Sequence, residues 1–132
     1  VLRVDNSAIN KAAREAVDEF DVQGVRDLRQ NAALLSGGNA QKLVLSRELS
    51  LKPNVVVAHS PCRGLDARAT ADVHERLVRA RDEGAGVILI SEDLDEVLMM
   101  SDRIGVMNRG RLAKIFESPV DRTAIGALMV HH

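Results

Sequence analysis

A chain of 132 residues, 45% hydrophobic and 28% charged, has the balance of one compact globular domain and is too short for two ordinary cores. Its formal charge of -1 excludes the concentrated positive field of a broad nucleic-acid footprint, and 2% aromatics with no Trp or Tyr exclude base-stacking platforms. No apolar run is long enough to span a hydrocarbon core, and the single Cys62 excludes an internal disulfide or a cysteine metal cluster.

Arg3, Asp5 and Lys11 interrupt the opening segment, so no secretory leader is expected there. Ile9, Ala12, Ala13, Ala16, Val17 and Phe20 predict a helix over residues 6–20 with one apolar face. Residues 22–33 are mixed and polar, with a turn at Gly24. Leu34-Leu35-Ser36-Gly37-Gly38-Asn39 leads into a helix over 40–49, which Pro53 and Asn54 end. Residues 55–58 are short, β-branched and apolar, as in a strand covered on both faces. A loop with Pro61 and Gly64 precedes a helix over 67–83, whose Arg76, Arg79, Arg81, Asp82 and Glu83 read as a solvated face. A second buried strand is expected at 87–90, a short helix at 93–100 and a third strand at 103–107. The tight turn Asn108-Arg109-Gly110 follows, its Asn and Gly suited to positive backbone dihedrals, and leads into 111–116. Pro119 precedes a last weak helix. His131 and His132 read as the remainder of an affinity tag rather than a metal site. Met99, Met100 and Met107 read as packing residues and His74 as solvent-exposed. The alternation of strands with helices predicts an α/β fold with a mostly parallel sheet and one antiparallel addition.

Ser36-Gly37-Gly38 directly before a helix is the first chemical feature. Helix starts carry unpaired N–H groups and partial positive charge, and glycine lets a phosphate approach the backbone. A plain turn and cap explains the same residues. The second feature is the strand at 55–58 opening into Pro61 and Arg63-Gly64-Leu65-Asp66. A nucleotide hydrolase places acids there to hold magnesium and orient water. This chain has His59 and Ser60 instead, which do not match a hard-cation site. His59 has no assignable carboxylate partner, so a pocket-lining or packed histidine is the simpler reading. Asp66 is suited to cap the helix that follows, and Glu92 to cap or solvate the start of the helix near 93. None of the nine glycines opens a Gly-x-x-x-x-Gly-Lys-Ser/Thr phosphate loop.

Leu35-Ser36-Gly37-Gly38-Asn39, Gln41-Lys42, Arg47-Glu48-Leu49, Pro53, residues 55–58, Pro61 and Arg63-Gly64-Leu65-Asp66 together resemble the signature-to-D-loop region of ATP-binding cassette proteins. Residues 88–92 with Leu94, Glu96 and Val97, then Ser101-Asp102-Arg103-Ile104, Val106-Met107 and Gly110-Arg111, continue the resemblance, which covers roughly 30–118. The pattern is most similar to the second cassette of simple-sugar or nucleoside importer subunits. It implies a partial P-loop NTPase (RecA-like) cassette with flanking helices and its phosphate-loop half missing. Residues 1–34 would be a helical-subdomain remnant, 35–118 the C-terminal part of the core, and 119–132 a terminal helix. The missing phosphate-loop strand would lie between 87–90 and 103–107, leaving open inner-strand edges, so that the chain would self-associate, rearrange or sit beside the missing portion.

The resemblance further implies that cassettes work head to tail, so that Ser36, Gly37, Gly38 and Asn39 would contact ATP held by another cassette. Asp66 would lie at the cassette interface and couple the two sites. His59, Ser60 and Glu92 would stand where the magnesium acid, the water-orienting glutamate and the switch histidine normally do, so this chain's own site would be degenerate and inactive alone. ATP and Mg2+ would be cofactors of the assembled parent, with no metal site in this chain. Partners would be another cassette, transmembrane permease subunits and, indirectly, a solute-binding protein, at the cytoplasmic face of the cell membrane. The alternative is a non-catalytic interaction or regulatory module with a degenerate nucleotide site. A metal enzyme centred on His59 and His74 lacks any short ligand motif.

Overall fold

The structure, a computed structural model, describes residues 5–130, so Arg3, His131 and His132 lie outside the described residues. The elements run α1 (Asn6–Glu19), a 3-10 turn (Ala32–Leu34), α2 (Gly37–Leu49), β1 (Val55–His59), α3 (Ala67–Asp82), β2 (Gly86–Ile90), α4 (Leu94–Met100), β3 (Arg103–Asn108), β4 (Arg111–Glu117) and α5 (Arg122–Val130). They fall into two compact units. The first comprises the chain up to Val56 with Pro61–Val87, and the second comprises Val57–Ser60 with the chain from Ile88.

In the first unit Asp5 caps α1, its carboxylate accepting from the Ser7 and Ala8 N–H groups at 2.9 and 3.2 Å. The apolar stripe of α1 is only half covered: Ile9 is exposed, and no residue of the helix is fully buried. The anchors are Phe20 and Val22 just beyond its end. Arg76 of α3 lies 4.4 Å over the Phe20 ring and donates to the Glu19 carbonyl at 2.6 Å, satisfying an acceptor that the helix end leaves open. On α3, Val73 and Leu77 are one turn apart and buried, as is Leu45 of α2, and the two helices pack together. Lys42 of α2, its side chain 13% exposed, lies 2.7 Å from Asp72 of α3 and 3.6 Å from the Asp21 carboxylate.

In the second unit β3 and β4 form an antiparallel hairpin running from Arg103↔Glu117 to Asn108↔Arg111. Ile104 and Val106 alternate inward and bury against Ile125 of α5, with Leu94, Val97, Leu98, Phe116, Val120 and Leu128 around them. The turn residues with positive φ are Arg109 at 50° and Gly110 at 74°, the pair that a two-residue primed turn requires. Asn108, expected to take one of these positions, instead ends β3 and donates from Nδ2 to the Leu128 carbonyl at 3.1 Å.

β1 and β2 pair in parallel. The Gly86 N–H donates to Asn54 O at 2.9 Å and the Ser60 N–H to Ile90 O at 2.7 Å, so both strands advance together. The α/β class and mixed pairing agree with expectation, but the strands form two separate pairs, β1–β2 and β3–β4, rather than one sheet. Nor are β1 and β2 covered on both faces: Val57 is 61% and Ile88 52% exposed, with Val55 and Ile90 also open. A parallel sheet needs cover on each face, and among the described residues the face with Val55, Val57, Ile88 and Ile90 is about half exposed. Met99 and Met107, expected to pack, are exposed, and His74, expected in solvent, is half-buried.

This open apolar face predicts association at high concentration. Sedimentation velocity over a hundredfold concentration range should show oligomers that the double substitution Val57→Lys/Ile88→Lys removes; a monomer throughout the range would contradict it.

Candidate functional site

The start of α2 has four N–H groups that the helix itself leaves unpaired. Ser36 takes the cap position with φ -62° and ψ 158°, and its Oγ accepts from the Asn39 N–H at 3.4 Å. α2 thus begins at Gly37, three residues before the expected start at Ala40, because the serine supplies a cap and the glycines follow in helical conformation. The same Oγ accepts from Asn39 Nδ2 at 2.9 Å, and Asn39 Oδ1 accepts from the Gln23 N–H at 2.8 Å. The N–H groups of Gly37 and Gly38 have no partner among the described residues, and Ser36 and Gly37 are exposed.

The two glycines differ in what they permit. A side-chain carbon at Gly37 would meet nothing within 4 Å, so that position is open to an incoming group. One at Gly38 would lie 3.0 Å from Ala69 Cβ, so glycine there lets the starts of α2 and α3 approach each other. Asp66 caps α3, its Oδ1 accepting from the Ala69 N–H at 2.8 Å. The expected capping role of Asp66 is therefore observed, and Ser36 and Asp66 head neighbouring helix starts. Unpaired donors, a hydroxyl and a helix N-terminus suit an anion; among the described residues the hydrogen bonds to Ser36 Oγ come from Asn39, whose amide is not a base.

His59, Ser60 and Glu92 belong to the second unit, at the ends of β1 and β2. His59 is exposed, and Ser60 is half-buried with φ 47°. The Ser60 N–H bond to Ile90 sets the two strand ends side by side. Glu92 is exposed and does not cap the following helix. Asp93 does, accepting from the Asp95 and Glu96 N–H groups at 2.9 and 3.3 Å, because it stands one residue before the first helical position. An imidazole and a hydroxyl at this strand end do not make the oxygen-rich, carboxylate-based set that magnesium requires. The residues present do not fit that ion.

Sequence reasoning missed the internal use of Asn39 and Lys42, since their partners Gln23, Asp21 and Asp72 are 16 to 30 positions away. A concavity of about 760 Å³ lies between α1 and the ends of α2 and α3, lined by residues such as Ala16, Phe20, Arg76 and Glu83; it contains neither Ser36 nor Asp66. No helix among the described residues is long and apolar enough to cross a membrane.

No family model matches the chain. It is 44% identical over 129 residues to a nucleoside import ATP-binding protein of Lactococcus lactis subsp. cremoris, covering 96% of this chain and 25% of that protein. It is 42% identical over 130 residues to a glucose import ATP-binding protein of Haloferax volcanii, covering 96% and 23%. The chain thus spans about a quarter of the length of the curated relatives it matches. Among solved structures, a bacterial ABC transporter cassette determined as a dimer aligns with a TM-score of 0.71 at 20% identity, over 89% of this chain and 50% of that one. The fold is therefore that of part of an ATP-binding cassette, and the sequence is related to sugar and nucleoside import ATP-binding proteins.

The different surroundings of the two glycines predict different costs of adding a methyl group. Gly37→Ala should leave stability within about 0.5 kcal/mol. Gly38→Ala should be the less stable of the two by roughly 1 kcal/mol or more, because Ala69 Cβ cannot rotate away. Urea unfolding of both variants measures the order, and equal midpoints would show that α2 and α3 do not meet as described.

Proposed function

We propose that this chain is the carboxy-terminal portion of a cassette in the ATP-binding subunit of a sugar or nucleoside importer. In this reading it presents the helix start formed by Ser36-Gly37-Gly38-Asn39 to ATP held by another cassette. The carrying observation is the start of α2, where two unpaired N–H groups and the Ser36 hydroxyl face open space at Gly37. The relatives, ATP-binding proteins of nucleoside and glucose import, support ATP as the ligand and transport as the setting.

The division of labour follows from what the residues can do. Ser36 and the Gly37 and Gly38 N–H groups can hold phosphate oxygens and stabilise charge that develops on them. The Gly-x-x-x-x-Gly-Lys-Ser/Thr loop that would cradle the β- and γ-phosphates of its own nucleotide is absent from its sequence. His59, Ser60 and Glu92 occupy the strand ends where the family's catalytic groups stand, and they lack the magnesium acid, the glutamate and the histidine. The chain alone is then inactive while its α2 start completes a site elsewhere. ATP with Mg2+ supplies the phosphoryl chemistry in the assembled parent, held mainly by the facing cassette.

Asp66, at the neighbouring helix start, couples the two sites across the cassette interface in this reading. The partner strand for the unpaired edges of β2 and β3 comes from the phosphate-loop half. Residues 1–34 are then a helical-subdomain remnant, 35–118 the core portion, and 119–132 a terminal helix. Permease subunits and a solute-binding protein complete the assembly, with the cassette at the cytoplasmic face of the membrane.

Ser36→Arg in the full-length polypeptide that carries this chain should abolish transport-coupled ATP hydrolysis, because a bulky cation would fill the space where the phosphate approaches. The steady-state rate in the reconstituted transporter is the readout. Near-normal turnover would defeat the reading and favour a non-catalytic interaction module.

A further inference from the structure

We propose that Asn39 is a positioning residue that turns the Ser36 hydroxyl into an outward hydrogen-bond donor. The inference rests on the reading of Ser36 as a phosphate-facing group, and deepens it by separating the residue that meets the anion from the one that orients it.

The direction of each bond follows from one group that can only donate. The main-chain N–H of Gln23 lies 2.8 Å from the Asn39 side chain, so the atom facing it is the amide oxygen. The amide nitrogen therefore faces Ser36, at 2.9 Å from Oγ. That nitrogen has only protons to offer, so Ser36 Oγ accepts. The Asn39 main-chain N–H donates to the same oxygen at 3.4 Å. A hydroxyl has two lone pairs and one proton. With both lone pairs engaged by Asn39, the proton of this exposed serine points away from the helix. Water accepts it in the free protein, and a phosphate oxygen would accept it more strongly because the bond is charge-assisted. Were the amide reversed, Ser36 would donate to Asn39 and present a lone pair to the anion.

The donating end of this relay is held in place. Phe20 and Val22, on either side of Asp21, are buried. Lys42 Nζ donates to the Asp21 carbonyl at 3.3 Å and lies 2.7 Å from the Asp72 carboxylate. The segment that supplies the Gln23 N–H is thereby tied to the helix that Ser36 caps. Asn39 spends its acceptor and one of its two amide protons inside the protein, so its effect on a ligand passes through Ser36.

The test is a double-substitution cycle on MgATP turnover by the full-length polypeptide, with kcat and KM measured for S36A, N39A and the pair. Loss of a bond to a charged group should lower kcat on the order of 10- to 100-fold in S36A. N39A should lower it comparably when Ser36 is present and by less than about twofold in the S36A background, because residues acting through one another are not additive. N39D keeps an oxygen for Gln23 but no proton for Ser36. It should unfold within about 2 °C of the parent, and it replaces N39A in the cycle if N39A does not fold. Equal fold-losses from the Asn39 change in both backgrounds would overturn the positioning role while leaving Ser36 as a phosphate contact. Unchanged turnover in S36A would remove both the positioning role and the reading it rests on.

Discussion

The close approach of α2 and α3 is the constraint on which the candidate site depends. Gly38 lets the two helix starts come together at Ala69, Lys42 joins their flanks through Asp72, and Val73, Leu77 and Leu45 are buried in the same unit. Ser36 and Asp66 are short side chains that cap these helices, so their positions follow from the helices' positions. A polar site is thus held by apolar burial and by one largely buried cation. The pairing of Lys42 with two carboxylates is what allows its charge to be buried there.

The second constraint is unmet within the chain. β1 and β2 carry apolar side chains on the face that includes Val57 and Ile88, and β2 and β3 each have only one strand partner among the described residues. Exposed Met99 and Met107 are further apolar groups without cover. These features have a common physical account in a chain that spans a quarter of its curated relatives and half of a solved cassette. Under the proposed function, the rest of the cassette would cover these exposed apolar groups.

That distinction also explains what was legible in the sequence. Helix and strand order could be read because periodicity, caps and Gly/Pro punctuation are local. The Asp5, Ser36 and Asp66 caps are short-range bonds to N–H groups two or three residues ahead. Covered strands and packed methionines were expected from side-chain type alone, which reports a preference for burial and not the presence of a partner. The hairpin was placed correctly, but its positive φ fell on Arg109 because the register of β3 with β4 set the turn. The Gln23–Asn39–Ser36 relay was invisible because it joins a polar loop to a helix across 16 positions, with a main-chain donor that no residue type reveals.

The central claim is that this chain contributes donors to an ATP site completed by another cassette. The most direct measurement is ATP turnover by the chain alone and after mixing with the phosphate-loop portion of its parent, in magnesium and at equal protein concentrations. The account predicts no turnover from the chain alone and turnover in the mixture. Hydrolysis by the isolated chain, or none in a mixture shown to associate, would contradict it.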